Sequence, residues 1–442
     1  MMLRISVVGT GYVGLSTAVC FASKGYRVLA STRNADNLRL INAKQAPFYE
    51  PMLAEFLTQS IESGNLHAAY SREEAVADTD VTFVTVGTPE RSDGSINLDY
   101  VTEASTDIGN AIGKKEGYHL IVIKSTVTPG TTNNVIKPII EEASGKTADT
   151  DFGLCMTPEF LRQGSAIHDT MHPDRVIIGE RDSRAGGLLH ELLANFHDPD
   201  TPILRMSLAS AEMVKYASNA FLAVKISFAN ELANVCENLH GVDVTEIMAG
   251  VGLDHRIGPF FLDAGAGFGG SCLPKDVKAL ISFARSGGYR TSLLTSVLEI
   301  NVAQARHVAD LVLAELPDVD KSKIALLGLS FKPDTDDIRE APALKIARTL
   351  MSKGATVCAY DPVVKKISLP GYEALQYAQS IEDCLKEAQC CIVATEWEPF
   401  RSLKPEDFIK HMSNPVVVDA RRVYNAGEFS AKLRYIGVGV RA

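Results

Sequence analysis

No apolar run in this chain approaches the ~20 residues of a membrane span, so a membrane-embedded protein is not expected. None of its eight cysteines forms a CxxC pair, and their irregular scatter gives neither a zinc spacing nor a disulfide framework. No metal is expected. Basic residues are outnumbered 44 to 54, which leaves a formal net charge of −10 and argues against broad electrostatic binding of nucleic acid. A local cluster of Arg and Lys can still oppose that sign and hold a small anionic substrate. The opening MMLRISVVGTG passes straight into an expected strand and leaves no room for a signal peptide. With the scattered thiols, this points to a reducing cytoplasm.

What is present describes a globular protein with a sizeable core, since 46% of the 442 residues are hydrophobic and 22% charged. That length calls for two or three domains. RISVVG, YRVLAS, VTFVTVG, HLIVIKS, FGLCMTP and RVIIGE alternate with helical patterns, the signature of parallel strands joined by crossovers. From residue 207, SLASAEMVKYASNAFLAVKISFANELANVCENLHG reads as one helix ended by Gly241, and helical patterns continue to about residue 315. Strand alternation resumes in KIALLGLSF, TVCAYDP, CCIVATEW and PVVVDARR. The expectation is an α/β protein: a dinucleotide-binding domain over 1–205, a helical bridge over 206–315 and a second Rossmann-like domain over 316–442.

The two ends align with each other. ISVVGTG at 5–11 matches IALLGLS at 324–330, and SKGYRVLAST at 23–32 matches SKGATVCAYD at 352–361, with Thr32 opposite Asp361. The first unit keeps the glycines and lacks the acid; the second keeps the acid and lacks the glycines. Duplication, with each unit binding a different nucleotide, explains this better than chance similarity of two strand–turn–helix patterns.

Gly9-x-Gly11-x-x-Gly14 follows a strand and opens the helix that starts Tyr12-Val13. These glycines let the turn close, let a pyrophosphate approach the backbone and let helix pack on strand. A glycine-rich turn in a non-binding domain is the plainer alternative. At the end of the second strand, where an acid usually grips the ribose, stand Ser31, Thr32 and Arg33. A hydroxyl and a guanidinium suit a 2′-phosphate, so NADP, or both NADP and NAD, is expected. Asp36 reads as the N-cap of the next helix.

GAGFGGSCLPKD, 265–276, brings Cys272 out of a glycine-rich loop with Lys275 and Asp276 behind it. Cationic and N–H neighbours make a thiol a better nucleophile. By spacing alone an ordinary loop cysteine is an equal reading. The motifs VVGTGYVGL, YEPML, KSTVTPGTT, TPEFLRQGSAIHD, EMVKYASNAFLAVKISFANE, GFGGSCLPKD and GLSFKPDTDDIREAP run in order through nearly the whole chain. They resemble the UDP-glucose 6-dehydrogenase family, within the nucleotide-sugar dehydrogenases that include GDP-mannose dehydrogenase.

The resemblance implies a four-electron oxidation of a sugar C6 alcohol to a carboxylate with two cofactor molecules, through a thiohemiacetal and a thioester on Cys272. Lys215 and Asn219, four apart on one helical face, resemble the oxyanion stabilisers; unaided, they read as a surface lysine and a packing asparagine. Asp276 resembles the carboxylate that orients water, and Lys275 a cofactor-side contact. Glu159 and Thr126 resemble a pair handling protons near C6. Thr88, Pro89 and Arg339 resemble cofactor contacts. Phe160, Leu161, Gly269, Lys332 and Arg421 resemble nucleotide-sugar contacts, and Arg256 one supplied by a partner subunit. A homodimer is the simplest assembly.

Thr157 and Gln163 depart from the family's Asn-Pro-Glu-Phe-Leu-x-Glu-Gly, and Gln163 cannot take a proton. Glu159 is therefore the carboxylate expected to matter. Ser271 before the cysteine argues against the acetamido-sugar branch, leaving UDP-glucose first and GDP-mannose second. A non-catalytic binding protein would have no reason to combine Cys272, Lys215, Asn219 and Asp276. A two-electron dehydrogenase would need one cofactor per sugar and survive loss of Cys272.

Overall fold

The computed structural model describes residues 3–440. The chain divides into two compact units, one ending at Ser218 and the next beginning at Asn219.

The first unit is built on eight strands: β1 Ile5–Val8, β2 Val28–Ser31, β3 Leu66–Ala69, β4 Val81–Val84, β5 His119–Ile123, β6 Phe152–Met156, β7 Val176–Glu180 and β8 Ile203–Ser207. Their order is β3-β2-β1-β4-β5-β6-β7-β8. Neighbours run parallel except β6 and β7. Every residue of β1, β4, β5 and β6 is buried, which is why these strands read as continuous apolar runs and not as alternation. Leu15, Val19 and Phe21 of the helix Tyr12–Ser23 share a core with Val7, Val28 and Phe83.

The second unit carries β9 Lys323–Leu327, β10 Thr356–Tyr360, β11 Gln376–Tyr377, β12 Cys390–Val393, β13 Val416–Asp419 and β14 Arg434–Gly437. Their order, β11-β10-β9-β12-β13-β14, repeats that of the first six strands, and all pairs are parallel. The repeat extends to the backbone. Gly9 and Gly328 both hold positive φ, +106° and +99°. Gly9 N–H donates to Ser31 O at 2.9 Å, and Gly328 N–H to Tyr360 O at 2.8 Å. This shared topology supports the duplication read from the aligned segments.

The repeat also corrects the part given to Asp361. Its buried carboxylate accepts from the N–H groups of Leu329 (2.8 Å) and Ser330 (3.1 Å), and from those of Val363 and Val364 (2.9 Å each). The acid kept in the second unit caps its own turn instead of standing open to a ribose.

The helix Leu208–Cys236 runs 29 residues and stops before the expected Gly241. Its last turn tightens through Asn238 N–H to Val235 O and Leu239 N–H to Cys236 O. Gly241, at φ +72°, lies in the turn that follows. Helices Val244–Gly252, Leu273–Ser286 and Ser292–Glu315 complete the helical stretch. Ala229, Ala233, Val308 and Val312 share one core with Ile324 and Val418 of the second sheet.

Candidate active site

In the first unit the strand order reverses between β1 and β4, the place where doubly wound sheets bind ligands. The three fingerprint glycines divide the work there. A Cβ on Gly9 would meet Thr85 O at 3.0 Å, and one on Gly14 would lie 1.9 Å from Gly9 O. One on Gly11 would meet nothing within 4 Å. Gly9 and Gly14 therefore hold strand, turn and helix together, while Gly11 leaves open space in front of the helix. No side chain caps that helix start, and the Thr10 hydroxyl is buried without a protein partner. Free N–H groups, an orphaned hydroxyl and an open approach fit a pyrophosphate. Tyr12 and Val13 begin the helix, and Tyr12 O–H donates to Arg162 O at 2.7 Å. Thr88 O–H donates to Thr126 O at 2.8 Å, tying the strand ends together, and Pro89 O accepts from Asn97 N–H.

Around the expected ribose position the structure differs from the sequence reading. Asn34, not Asp36, caps the helix Ala35–Asn42, accepting from Asn37 N–H; Asp36 sits in its first turn. Asn34 holds extended backbone, φ −80° and ψ 108°, which a cap requires. The buried Thr32 hydroxyl accepts from Asn34 N–H at 3.2 Å. Arg33 donates to Glu103 and, at 2.7 Å, to Asp107.

The same unit holds a buried ion pair. Lys215 Nζ donates to Glu159 Oε1 and to Glu159 O, both at 2.8 Å, and Leu161 N–H donates to Glu159 Oε2 at 2.7 Å. Burial pushes the Glu159 carboxyl up, but Lys215, the Leu161 N–H and Lys124 outweigh it and leave it below the ordinary range. Burial in turn lowers Lys124 to about 8, against the pull of Glu159. The Phe160 ring carries the Arg175 guanidinium at 4.0 Å. Lys124, Glu159, Phe160, Leu161, Arg175 and His197 line a cavity of about 130 Å³.

Glu50 was given no role from sequence, yet it shapes this loop: its carboxylate accepts from Gly164 and Ala166 N–H, both at 2.8 Å. The signal available was an acid inside YEPML, a motif cited for resemblance alone.

In the second unit, Cys272 sits at the N-cap of the helix Leu273–Ser286, its side chain capping nothing. It is exposed, whereas the other seven cysteines are buried, Cys390 and Cys391 among them. The loop before it is fixed by buried amides. Asn230 Oδ1 accepts from Gly265 N–H at 2.7 Å, Asn301 Oδ1 from Phe268 N–H at 2.7 Å, and Gln304 donates to Gly265 O at 2.9 Å. A Cβ on Gly269 would meet Glu340 O at 2.7 Å, and one on Gly270 the Phe331 ring at 2.8 Å. Glycine is demanded here by close approach.

Lys275 Nζ bonds Asp276 Oδ1 at 2.6 Å, and Asn219 Nδ2 bonds Asp276 Oδ2 at 2.6 Å. Arg339 is forked onto Asp337 at 2.9 and 2.6 Å, the main cause of its raised pKa, to which a Cys272 thiolate adds a smaller pull. A helix start and a guanidinium both favour a thiolate. Arg421 is held by the carbonyls of Ala394 (2.8 Å) and Phe331 (3.1 Å), so it braces the loops. Lys332 follows Phe331, its ammonium 5.9 Å from that ring. Arg256 is exposed and forked onto Asp254.

A glycine cradle at a switch point defines the class: a dinucleotide-dependent dehydrogenase. Three family models match in order. The NAD binding domain of the UDP-glucose/GDP-mannose dehydrogenase family covers 3–197, its central domain 209–303 and its UDP binding domain 325–426. The chain belongs to that family. A UDP-glucose 6-dehydrogenase of Haloferax volcanii is 42% identical over 96% of this chain and 98% of its own length. A GDP-mannose 6-dehydrogenase of Pseudomonas putida is 36% identical over 95% and 99%. Among solved structures, a UDP-glucose dehydrogenase from Pyrobaculum islandicum is similar at a TM-score of 0.91 and 39% identity, covering 100% of this chain and 98% of that one.

Proposed function

We propose that this protein oxidises the C6 alcohol of UDP-glucose to the carboxylate of UDP-glucuronate, with Cys272 holding the carbon between two oxidations. The observation that carries the reading is the exposed thiol at the start of the Leu273–Ser286 helix, in a chain of this family. Bound NAD or NADP supplies a two-electron acceptor, once for each oxidation. The first gives an aldehyde. The Cys272 thiolate adds to its carbonyl carbon, forming a C–S bond and an oxyanion that Lys215 and Asn219 stabilise. The second oxidation of that tetrahedral carbon leaves a thioester. Water, oriented by Asp276, cleaves the C–S bond to release the carboxylate and return the thiol. Glu159 and Thr126 handle the protons near C6, and Phe160, Leu161, Gly269, Lys332 and Arg421 bind the nucleotide sugar.

The three-part division, 1–205, 206–315 and 316–442, then follows role: dinucleotide, bridge and nucleotide sugar. GDP-mannose is the second substrate to test, because relatives of both kinds match most of the chain. The cofactor contacts are Gly9, Gly11, Tyr12, Val13, Gly14, Thr88, Pro89, Lys275 and Arg339, with Thr32 and Arg33 at the ribose. Those last two lean the choice toward NADP; the ion pairs of Arg33 temper it, and use of both cofactors is the result. Phe221, Phe228 and Val235 are exposed seven residues apart along the Leu208–Cys236 helix. Such a stripe suits a helix paired with its copy in a twofold homodimer, to which Arg256 contributes across the interface. Free, mostly buried thiols fit a cytoplasmic setting.

The test is one assay of UDP-glucose and GDP-mannose against NAD and NADP. Two reduced cofactors per uronate are expected, and Cys272→Ser should stop turnover. One cofactor per sugar, with Cys272→Ser still active, would overturn the reading.

A further inference from the structure

We propose that the acid missing from the end of β2 is supplied by the helix Asp99–Gly113, and that Glu103 sets the cofactor preference by holding Arg33. Doubly wound sheets place the adenosine ribose beside the residues that follow the second strand. Here those residues are Thr32 and Arg33. The Thr32 hydroxyl is buried and accepts from Asn34 N–H, so Arg33 is the side chain with charge to offer.

That charge is already engaged. Arg33 Nη1 bonds Glu103 Oε1, and Nη2 bonds Asp107 Oδ2 at 2.7 Å. Arg72 Nη1 bonds the same Asp107 oxygen at 2.7 Å and lies 3.8 Å from Glu103 Oε2. The two carboxylates differ in setting. Arg72 and Asp107 keep only 8% and 13% of their side-chain surface, while Arg33 and Glu103 each keep 46%. Asp107–Arg72 is thus a buried footing, and Glu103 is the exposed partner that closes on Arg33. The Glu73 carboxyl is lowered chiefly by its own backbone N–H, with smaller pulls from Arg33 and Arg72.

This arrangement treats the two cofactors differently. A 2′-phosphate brings a charge of about −1.5 to −2 at neutral pH and must displace a carboxylate from Arg33. A plain ribose brings hydroxyls, which a neighbouring carboxylate accepts as the usual strand-two acid does. Glu103 therefore favours NAD and Arg33 favours NADP, and their bond balances the two. The inference rests on the cofactor site of the proposed function, not on its sugar substrate.

The test compares wild type, Glu103→Gln, Glu103→Asp and the double variant Glu103→Gln/Arg33→Ala. Direct binding of NADH and NADPH is read by fluorescence, and kcat/KM for NAD and NADP is measured with UDP-glucose. A charge-assisted hydrogen bond released to the phosphate predicts a rise of about tenfold or more in the NADP:NAD ratio for Glu103→Gln. Glu103→Asp should restore most of the wild-type ratio, and the double variant should lose the gain. A ratio unchanged within about twofold in binding and turnover, with only thermal stability altered, would overturn the proposal and leave a structural clasp. Absence of UDP-glucose turnover in wild type would count against the proposed function alone, because the binding ratios still report on Glu103.

Discussion

Asn219 donates its amide N–H to Asp276 Oδ2 at 2.6 Å, while Lys275 holds the other carboxylate oxygen at the same distance. An amide and a carboxylate given separate roles on the basis of resemblance are therefore one unit, with Asp276 buried and fixed from both sides. Asn219→Ala leaves that oxygen without its donor and removes the proposed oxyanion contact. Turnover should fall by about 10²-fold with KM less affected. Asp276→Asn should fall comparably, and the double variant by less than the product of the two. Multiplicative losses would show that the bond is incidental.

The Glu159–Lys215 pair predicts a pH signature. Glu159 has a folded-state pKa below its ordinary value, held there against burial by Lys215, the Leu161 N–H and Lys124. Its contribution is complete above the unfolded carboxyl pKa of about 4.3 and is lost as pH falls through the lower folded value. Glu159→Gln, which removes the carboxylate charge opposite a buried ammonium, should lose about 3–5 kcal/mol at pH 7. Denaturant titrations should show that gap closing below about pH 4.3. A gap independent of pH would mean packing, not charge, links the two residues.

These two relationships mark what sequence can and cannot carry. The strands buried on every side, such as β1, β5 and β12, announce themselves as apolar runs. Strands β3, β8, β11 and β14 do not. β8 has no buried residue and β11 is two residues long, so neither leaves a hydrophobic signal. Cys272 stood out because its loop, its glycines and its helix are contiguous, but its role came from the family resemblance. The partners of Arg33 lie 70 and 74 residues away, and two of the N–H donors to Asp361, those of Leu329 and Ser330, lie 32 and 31 residues back in another segment. Local chemistry is written in order along the chain; its neutralisation depends on residues folded in from elsewhere.

The stripe of Phe221, Phe228 and Val235 yields a test of assembly. Phe228→Asp places a charge in the middle of a surface proposed to pair with its copy. If the proposed dimer forms, sedimentation should show it replaced by monomer, and with it loss of any contribution from Arg256 of the partner subunit. An unchanged mass would remove this helix face from the interface.

Gly11 and Gly14 separate cofactor binding from folding. Both stand in one fingerprint, and both are expected to resist substitution by alanine, but for different reasons. At Gly14 the added methyl would sit 1.9 Å from Gly9 O and 2.4 Å from Thr85 Oγ1. That hydroxyl already donates to Val8 O and Gly9 O, so it cannot turn aside without breaking the turn. Gly14→Ala should therefore cost about 1–3 kcal/mol of stability with no cofactor present. At Gly11 φ is −72°, which alanine adopts freely, and the methyl meets no protein atom within 4 Å. Gly11→Ala should keep the wild-type melting temperature yet bind NADH and NADPH more weakly by about tenfold or more, because the methyl stands where the pyrophosphate approaches. If Gly11→Ala binds both cofactors like wild type, the pyrophosphate does not lie over this turn.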